Sequence, residues 1–163
     1  MEKSSDFEVS EAEVWKKYGK KLGDHYKLDP VEVHTALRRM RFFGRLSDEQ
    51  LHQVVKSFQM ASFSEGEYAV EQGELGDAFY IITRGEAAVM RTQHPGSAPF
   101  QIGTLSAWQC FGERSLLTAE PRNAGILATS EGGMECLAMT RTTFERVIGP
   151  MRNFFAPEDH RRE

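Results

Sequence analysis

Apolar positions along the chain change their period once, near Phe58. Before that point they recur at helical spacing. Val33, Leu37 and Met40 share one face, and Leu51, Val54, Val55 and Phe58 share another. Each helical segment carries its own start signal. Ser10 and Glu13 form a capping box ahead of VWKKYGKKL, and Ser47 with Gln50 forms another before the third segment. Asp29 and Pro30 read as N-cap and first helical residue, with Glu32 in the first turn. Gly44 is expected to break the helix that Pro30 begins.

After Phe58 short β-type segments take over: FQMASF, YAVEQ, AFYIIT, EAAVMRT, FQIGTL, AGILAT and ECLAM. They are separated by SEGE, GELGD, RG, HPGSAP and EGG, all turn-forming compositions. Strands this short and this evenly punctuated predict an antiparallel sandwich or jelly roll. Helical spacing returns at the end, with Thr140 as a cap and Phe144, Val147, Ile148, Met151, Phe154 and Phe155 as the apolar stripe. Gly149-Pro150 should bend or split that helix, because proline removes an amide donor and crowds the preceding turn. The fold class expected is α+β, mainly β: an antiparallel β-roll or jelly roll with N-terminal helices and a C-terminal hinge or lid helix. Residues 1–28 are expected to form a helical extension, 29–155 the main domain and 156–163 a polar tail. Within the main domain, helices occupy 30–58, the roll 59–139 and the last helix 141–155.

Composition narrows the class. A chain of 163 residues with 40% hydrophobic content supports one real core, and 27% charged residues favour solubility. A net charge of −4 gives no general affinity for nucleic acid or for an anionic membrane. No apolar run approaches the roughly 18 residues of a membrane helix, so membrane insertion is not expected. The N-terminal stretch lacks the apolar core of a signal peptide, and a cytoplasmic protein is expected. Cys110 and Cys136 lie in apolar surroundings and read as buried, reduced thiols. The five histidines are scattered without ligand spacing, so neither a metal nor a cofactor is expected.

One stretch, Phe111 to Ala128, places charge beside segments fit for burial. The sequence leaves a strand at Gly112, has room for a single helical turn in ERSLL, and resumes strand after Glu120-Pro121. Backbone N–H groups at such a turn attract anions, and Gly112 would let a ligand approach the main chain closely. Arg122 could add a bidentate fork to a phosphate. Glu113 could accept hydrogen bonds from a sugar's hydroxyls. The alternative is that Glu113 and Arg122 pair with each other or sit on a solvated rim.

A resemblance bears on that choice. FGERSLLTAEPRNA is similar to the phosphate-binding cassette of the cyclic nucleotide-binding domain family, F-G-E-x-A/S-L followed by P-R-x-A. GEYAVEQGELGDAFYIITRGEAAV resembles that family's first signature, with Gly73, Gly76, Asp77 and Gly85 at its glycine and turn positions. RRMRFFGRLSDEQLHQVV resembles the helical segment ahead of the roll in kinase-type members, and FERVIGP resembles their hinge helix. The likeness spans Asp29 to Phe155. It implies that Glu113 binds the ribose 2′-hydroxyl and that the amides of Gly112 and Ser115 face the phosphate or sugar. Arg122 would neutralise the exocyclic phosphate oxygens, with Asn123 and Ala124 on the same wall. The residue after the arginine departs from the usual alanine of cAMP-preferring members and the threonine or serine of many cGMP-preferring ones. An amide at Asn123 could meet the guanine 2-amino group or N7, which tilts the expectation slightly to cGMP; it could equally bond backbone or phosphate.

The resemblance implies an allosteric regulatory module rather than an enzyme, with a cyclic nucleotide as ligand. Its partner would be a protein kinase catalytic domain, in trans or in a longer chain. A channel's cytoplasmic ligand-binding domain and an interaction module that has lost binding are the other readings. A metal-dependent enzyme on a similar roll lacks clustered ligands here. A bacterial activator would need a helix-turn-helix that the residues after Phe155 cannot supply. The last helix is expected to close over the base, with Phe154 or Phe155 either capping it or serving as an ordinary core aromatic.

Overall fold

A computed structural model of the chain describes residues 30–40, 43–76, 78–112 and 120–149. Helix α1 spans Pro30–Arg38, and a 3-10 turn at Phe43–Arg45 leads to helix α2 at Asp48–Ser57. Eight strands follow. They are β1 (Gln59–Phe63), β2 (Tyr68–Val70), β3 (Ala78–Arg84), β4 (Ala87–Arg91), β5 (Phe100–Leu105), β6 (Cys110–Phe111), β7 (Gly125–Ala128) and β8 (Met134–Thr140). Helix α3 covers Arg141–Val147.

The strands form two antiparallel sheets of four, in the orders β1-β8-β3-β6 and β2-β7-β4-β5. Strands β3 and β8 are buried on both faces, and their side-chain alternation builds two cores. Ala78, Tyr80 and Ile82 point into the roll with Met134, Cys136 and Ala138, where Tyr80 stacks on Phe111 at 4.9 Å and 15°. Phe79, Ile81, Leu137 and Met139 point outward, against Val33 and Leu37 of α1, Leu51 and Val54 of α2, and Phe144 of α3. Phe79 meets Phe43 at 5.6 Å and Phe58 at 5.9 Å in this second core. The sheet is thus the wall shared by the roll interior and the helical layer.

The second sheet has no such cover among the described residues, and Phe100 and Ile102 on β5 are exposed. Cys136 lies in the roll interior and Cys110 is half-buried on the helical side; both are thiols. No helix among the described residues is long and apolar enough to cross a membrane.

Helix starts follow the sequence. Gln50 N–H donates to Ser47 Oγ at 3.1 Å while Ser47 N–H donates to Gln50 Oε1 at 2.9 Å, the reciprocal capping box. Thr140 Oγ1 accepts from Thr143 N–H at 3.1 Å and opens α3. The end of the first helix differs from expectation. Helix α1 stops at Arg38, ahead of Gly44. Arg38 donates to the Leu46 carbonyl at 2.7 Å and pairs with Asp48 at 2.5 Å, which holds the return. Helix α3 ends at Val147 with Ile148 as its C-cap and Gly149 next, at a φ of +120°, so the break expected at Gly149-Pro150 is where the helix stops. The expected helices at residues 1–28, the Asp29 cap, and Met151, Phe154 and Phe155 lie outside the described residues.

Candidate functional site

A pocket of about 380 Å³ opens inside the roll, and its wall is apolar while one rim is polar. Val70, Ile126, Val89 and Leu105 line it from the second sheet, and Phe111 from the first. Gly112, Arg122, Asn123 and Ala124 form the rim with Glu120 and Pro121. The volume lies in the range of roughly 300–1,000 Å³ typical of small-molecule sites.

Arg122 is held just ahead of β7 by the turn that precedes β3. Gly73 N–H donates to the Arg122 carbonyl at 2.7 Å, and Arg122 N–H donates to the Glu74 carbonyl at 2.9 Å. Leu75 and Pro121 form an isolated antiparallel bridge beside them. The residue is only 9% exposed. Its Nη2 donates to the Ala78 carbonyl at 3.0 Å, and its Nε has no partner among the described residues. Arg122 belongs to none of the described ion pairs, which join Arg38 to Asp48, Arg84 to Glu135 and Arg141 to Glu145. A buried cation with an unanswered donor favours an anion, because desolvation is offset only when the remaining hydrogen bonds are made.

Gly112 sits against the same guanidinium. Its φ is +84°, and a Cβ there would fall 2.7 Å from Arg122 Nη1 and 2.9 Å from the Ala78 carbonyl oxygen. Only glycine meets both demands, conformational and spatial. Asn123 is exposed and Ala124 half-buried on the rim, so the Asn123 amide is accessible to a bound molecule. Together the parts offer an apolar cavity and, among the described residues, one buried cation for an anionic group.

Four of the six expected site residues, Gly112, Arg122, Asn123 and Ala124, meet at this pocket. Glu113 and Ser115 lie outside the described residues. Sequence reading gave no part in the site to Glu74 or Ala78, and placed Gly73 and Gly76 only as turn glycines of a signature. GELGD was read as a turn and Ala78 as strand, whereas Gly73, Glu74 and Ala78 hold Arg122 from behind. The signal that could have found them was the likeness of this stretch to the family's first signature, with Gly73 and Gly76 at its glycine positions. Among the described residues no group of His, Cys, Asp and Glu is arranged to hold a metal ion.

Residues 60–149 match the model of the cyclic nucleotide-binding domain, and the chain belongs to that family. Curated relatives include a cGMP-dependent protein kinase of Toxoplasma gondii, 34% identical over 125 residues. That match covers 76% of this chain and 12% of the relative, so the chain corresponds to a small part of such a kinase. Among solved structures, the regulatory domain of Toxoplasma gondii PKA in complex with cAMP superposes with a TM-score of 0.65 at 26% identity. The match covers 81% of this chain and 50% of that one. A Trypanosoma cruzi regulatory subunit of a cAMP-independent protein kinase A, bound to guanosine, gives 0.62 at 25% identity, covering 77% and 44%. The chain is therefore a cyclic nucleotide-binding domain related to kinase regulatory domains, and its mainly antiparallel roll is the one these domains share.

Proposed function

We propose that this chain binds a 3′,5′-cyclic nucleotide inside the roll and acts as a regulatory module, not itself an enzyme, for a protein kinase catalytic domain in trans or in a longer chain. The observation that carries the reading is Arg122: a buried guanidinium, incompletely hydrogen-bonded among the described residues, on the rim of an apolar pocket. In this reading Arg122 takes the exocyclic phosphate oxygens and Glu113 accepts from the ribose 2′-hydroxyl. The amides of Gly112 and Ser115 face the phosphate and sugar, while Asn123 and Ala124 line the wall beside them. The base lies along the apolar strands. The accessible Asn123 amide suits guanine, and the kinase relatives are cGMP-dependent by name, so cGMP is favoured slightly over cAMP.

Regulation follows from the layering. Helix α3 packs on the shared wall through buried Phe144, and the cassette joins β6, on that same wall, to β7. Phosphate drawing the cassette inward would repack Leu116 and Leu117 and let the last helix close, a two-state equilibrium biased by ligand. Hydrogen exchange in residues 141–155 is expected to slow with saturating nucleotide; unchanged exchange would sink this mechanism.

A second reading is favoured by the guanosine-bound relative, namely a nucleoside without phosphate. Calorimetric titration with cGMP, cAMP and guanosine separates the two. One-to-one binding of a cyclic nucleotide, tighter than guanosine, supports the phosphate-binding reading. Guanosine binding as tightly as cGMP would replace it.

A further inference from the structure

The turn ahead of β3 carries a glycine whose side-chain position is already filled by the arginine of the site. A Cβ on Gly76 would lie 2.4 Å from Arg122 Nη2, 2.9 Å from Nε and 3.0 Å from Cζ. All three nearest atoms belong to the guanidinium. Gly76 does not share the left-handed backbone of Gly73 and Gly85, so space rather than conformation requires a glycine here. Gly112 differs, because a Cβ there would also press on the Ala78 carbonyl and the Phe79 Cα. The guanidinium is therefore flanked by two glycines. The segment that supplies the first also grips the Arg122 main chain, through Gly73 and Glu74.

We propose that Gly76 is a positioning residue for phosphate recognition. Its missing side chain lets the Arg122 guanidinium lie against the turn, with Nη2 on the Ala78 carbonyl and the group lining the pocket. The inference rests on reading Arg122 as the phosphate anchor. A methyl group at position 76 displaces the far end of a flexible side chain, not the backbone. The fold tolerates the change while the cation leaves its place. The loss is selective: a ligand with a phosphate suffers, and the matching nucleoside does not.

The test uses the full chain as wild type, Gly76→Ala and, as a control, Gly132→Ala, whose added Cβ meets nothing within 4 Å. Displacing one charge-assisted contact should weaken cGMP binding by roughly tenfold or more in Gly76→Ala. Guanosine binding should stay within about twofold, because a neutral nucleoside makes no such charge-assisted bond. Gly132→Ala should match the wild type, and Gly76→Ala should add nothing further in an Arg122→Ala background. Equal weakening of both ligands, undiminished cGMP affinity, or a full extra loss in the Arg122→Ala background would overturn the proposal.

If the wild type fails to bind cGMP, the functional reading falls, and the positioning claim is then read from the Arg122 Nε–H resonance by NMR. Gly76→Ala should move that resonance and speed its exchange; an unmoved resonance rejects the claim. Should Gly76→Ala fail to fold, the double variant with Arg122→Ala removes the clash and should fold. Equal unfolding of the single and double variants would reject it too.

Discussion

Arg122→Ala separates binding from stability more sharply than any other single change. Among the described residues, the Arg122 side chain donates from Nη2 to the Ala78 carbonyl at 3.0 Å, and its Nε has no partner. Removing it deletes a buried charge along with that bond, and water entering the open pocket can serve the Ala78 carbonyl. The two effects oppose each other, so stability without ligand should change by about 1 kcal/mol or less. Binding has no such offset. One hydrogen bond to a charged group is worth about 1.5–3 kcal/mol, or roughly ten- to a hundredfold in affinity.

A thermal-unfolding scan reads both quantities together. With cyclic nucleotide at about 100 times its dissociation constant, the wild type gains about 2.7 kcal/mol. For a domain of this size that is a rise in Tm of about 5–11 °C. A hundredfold weaker variant gains only about 0.4 kcal/mol, or roughly 1–2 °C, at the same ligand concentration. A tenfold weaker one gains about 1.4 kcal/mol, or roughly 3–6 °C. Equal ligand-induced shifts in wild type and Arg122→Ala would refute the assignment of this residue to the phosphate. A collapse of the variant's Tm without ligand would refute the claim that the guanidinium is kept for a ligand rather than for the fold.

Two further outcomes follow from the packing and the rim. Phe79 is fully buried between the roll and the helices, against Phe43 and Phe58, so Phe79→Ala should cost about 3–5 kcal/mol in guanidinium chloride denaturation. A loss below about 1 kcal/mol would contradict the shared wall described above. Asn123→Ala should lower the preference for cGMP over cAMP by about two- to tenfold in competition titrations, the worth of one neutral hydrogen bond. An unchanged ratio would show that the amide does not read the base.

Period was the most legible feature of the chain. The shift from helical to alternating spacing at Phe58 falls one residue before β1, and FQIGTL matches β5 residue for residue. Caps were equally readable, since Ser47-Gln50 and Thr140 act through local hydrogen bonds that depend on few neighbours. Helix ends were less so. Gly149 marked the stop of α3, but α1 ends ahead of Gly44, where Arg38 reaches forward to Leu46 and Asp48 in a tertiary contact with no local pattern. The site divides in the same way. Gly112, Arg122, Asn123 and Ala124 are contiguous enough to be read as a motif, and they do line one pocket. The back of the site was illegible, because Gly76 and Ala78 meet Arg122 only after β3 and β7 enter different sheets. In sequence, Gly76 is a glycine position of a signature; in space it is the clearance for a guanidinium.

The most direct measurement is a crystal structure of the chain grown with cGMP. The account predicts the nucleotide inside the roll, its base along Val89 and Leu105, and its exocyclic phosphate oxygens within hydrogen-bonding distance of the Arg122 guanidinium. A nucleotide bound elsewhere, or one in this pocket with its phosphate turned away from Arg122, would contradict it.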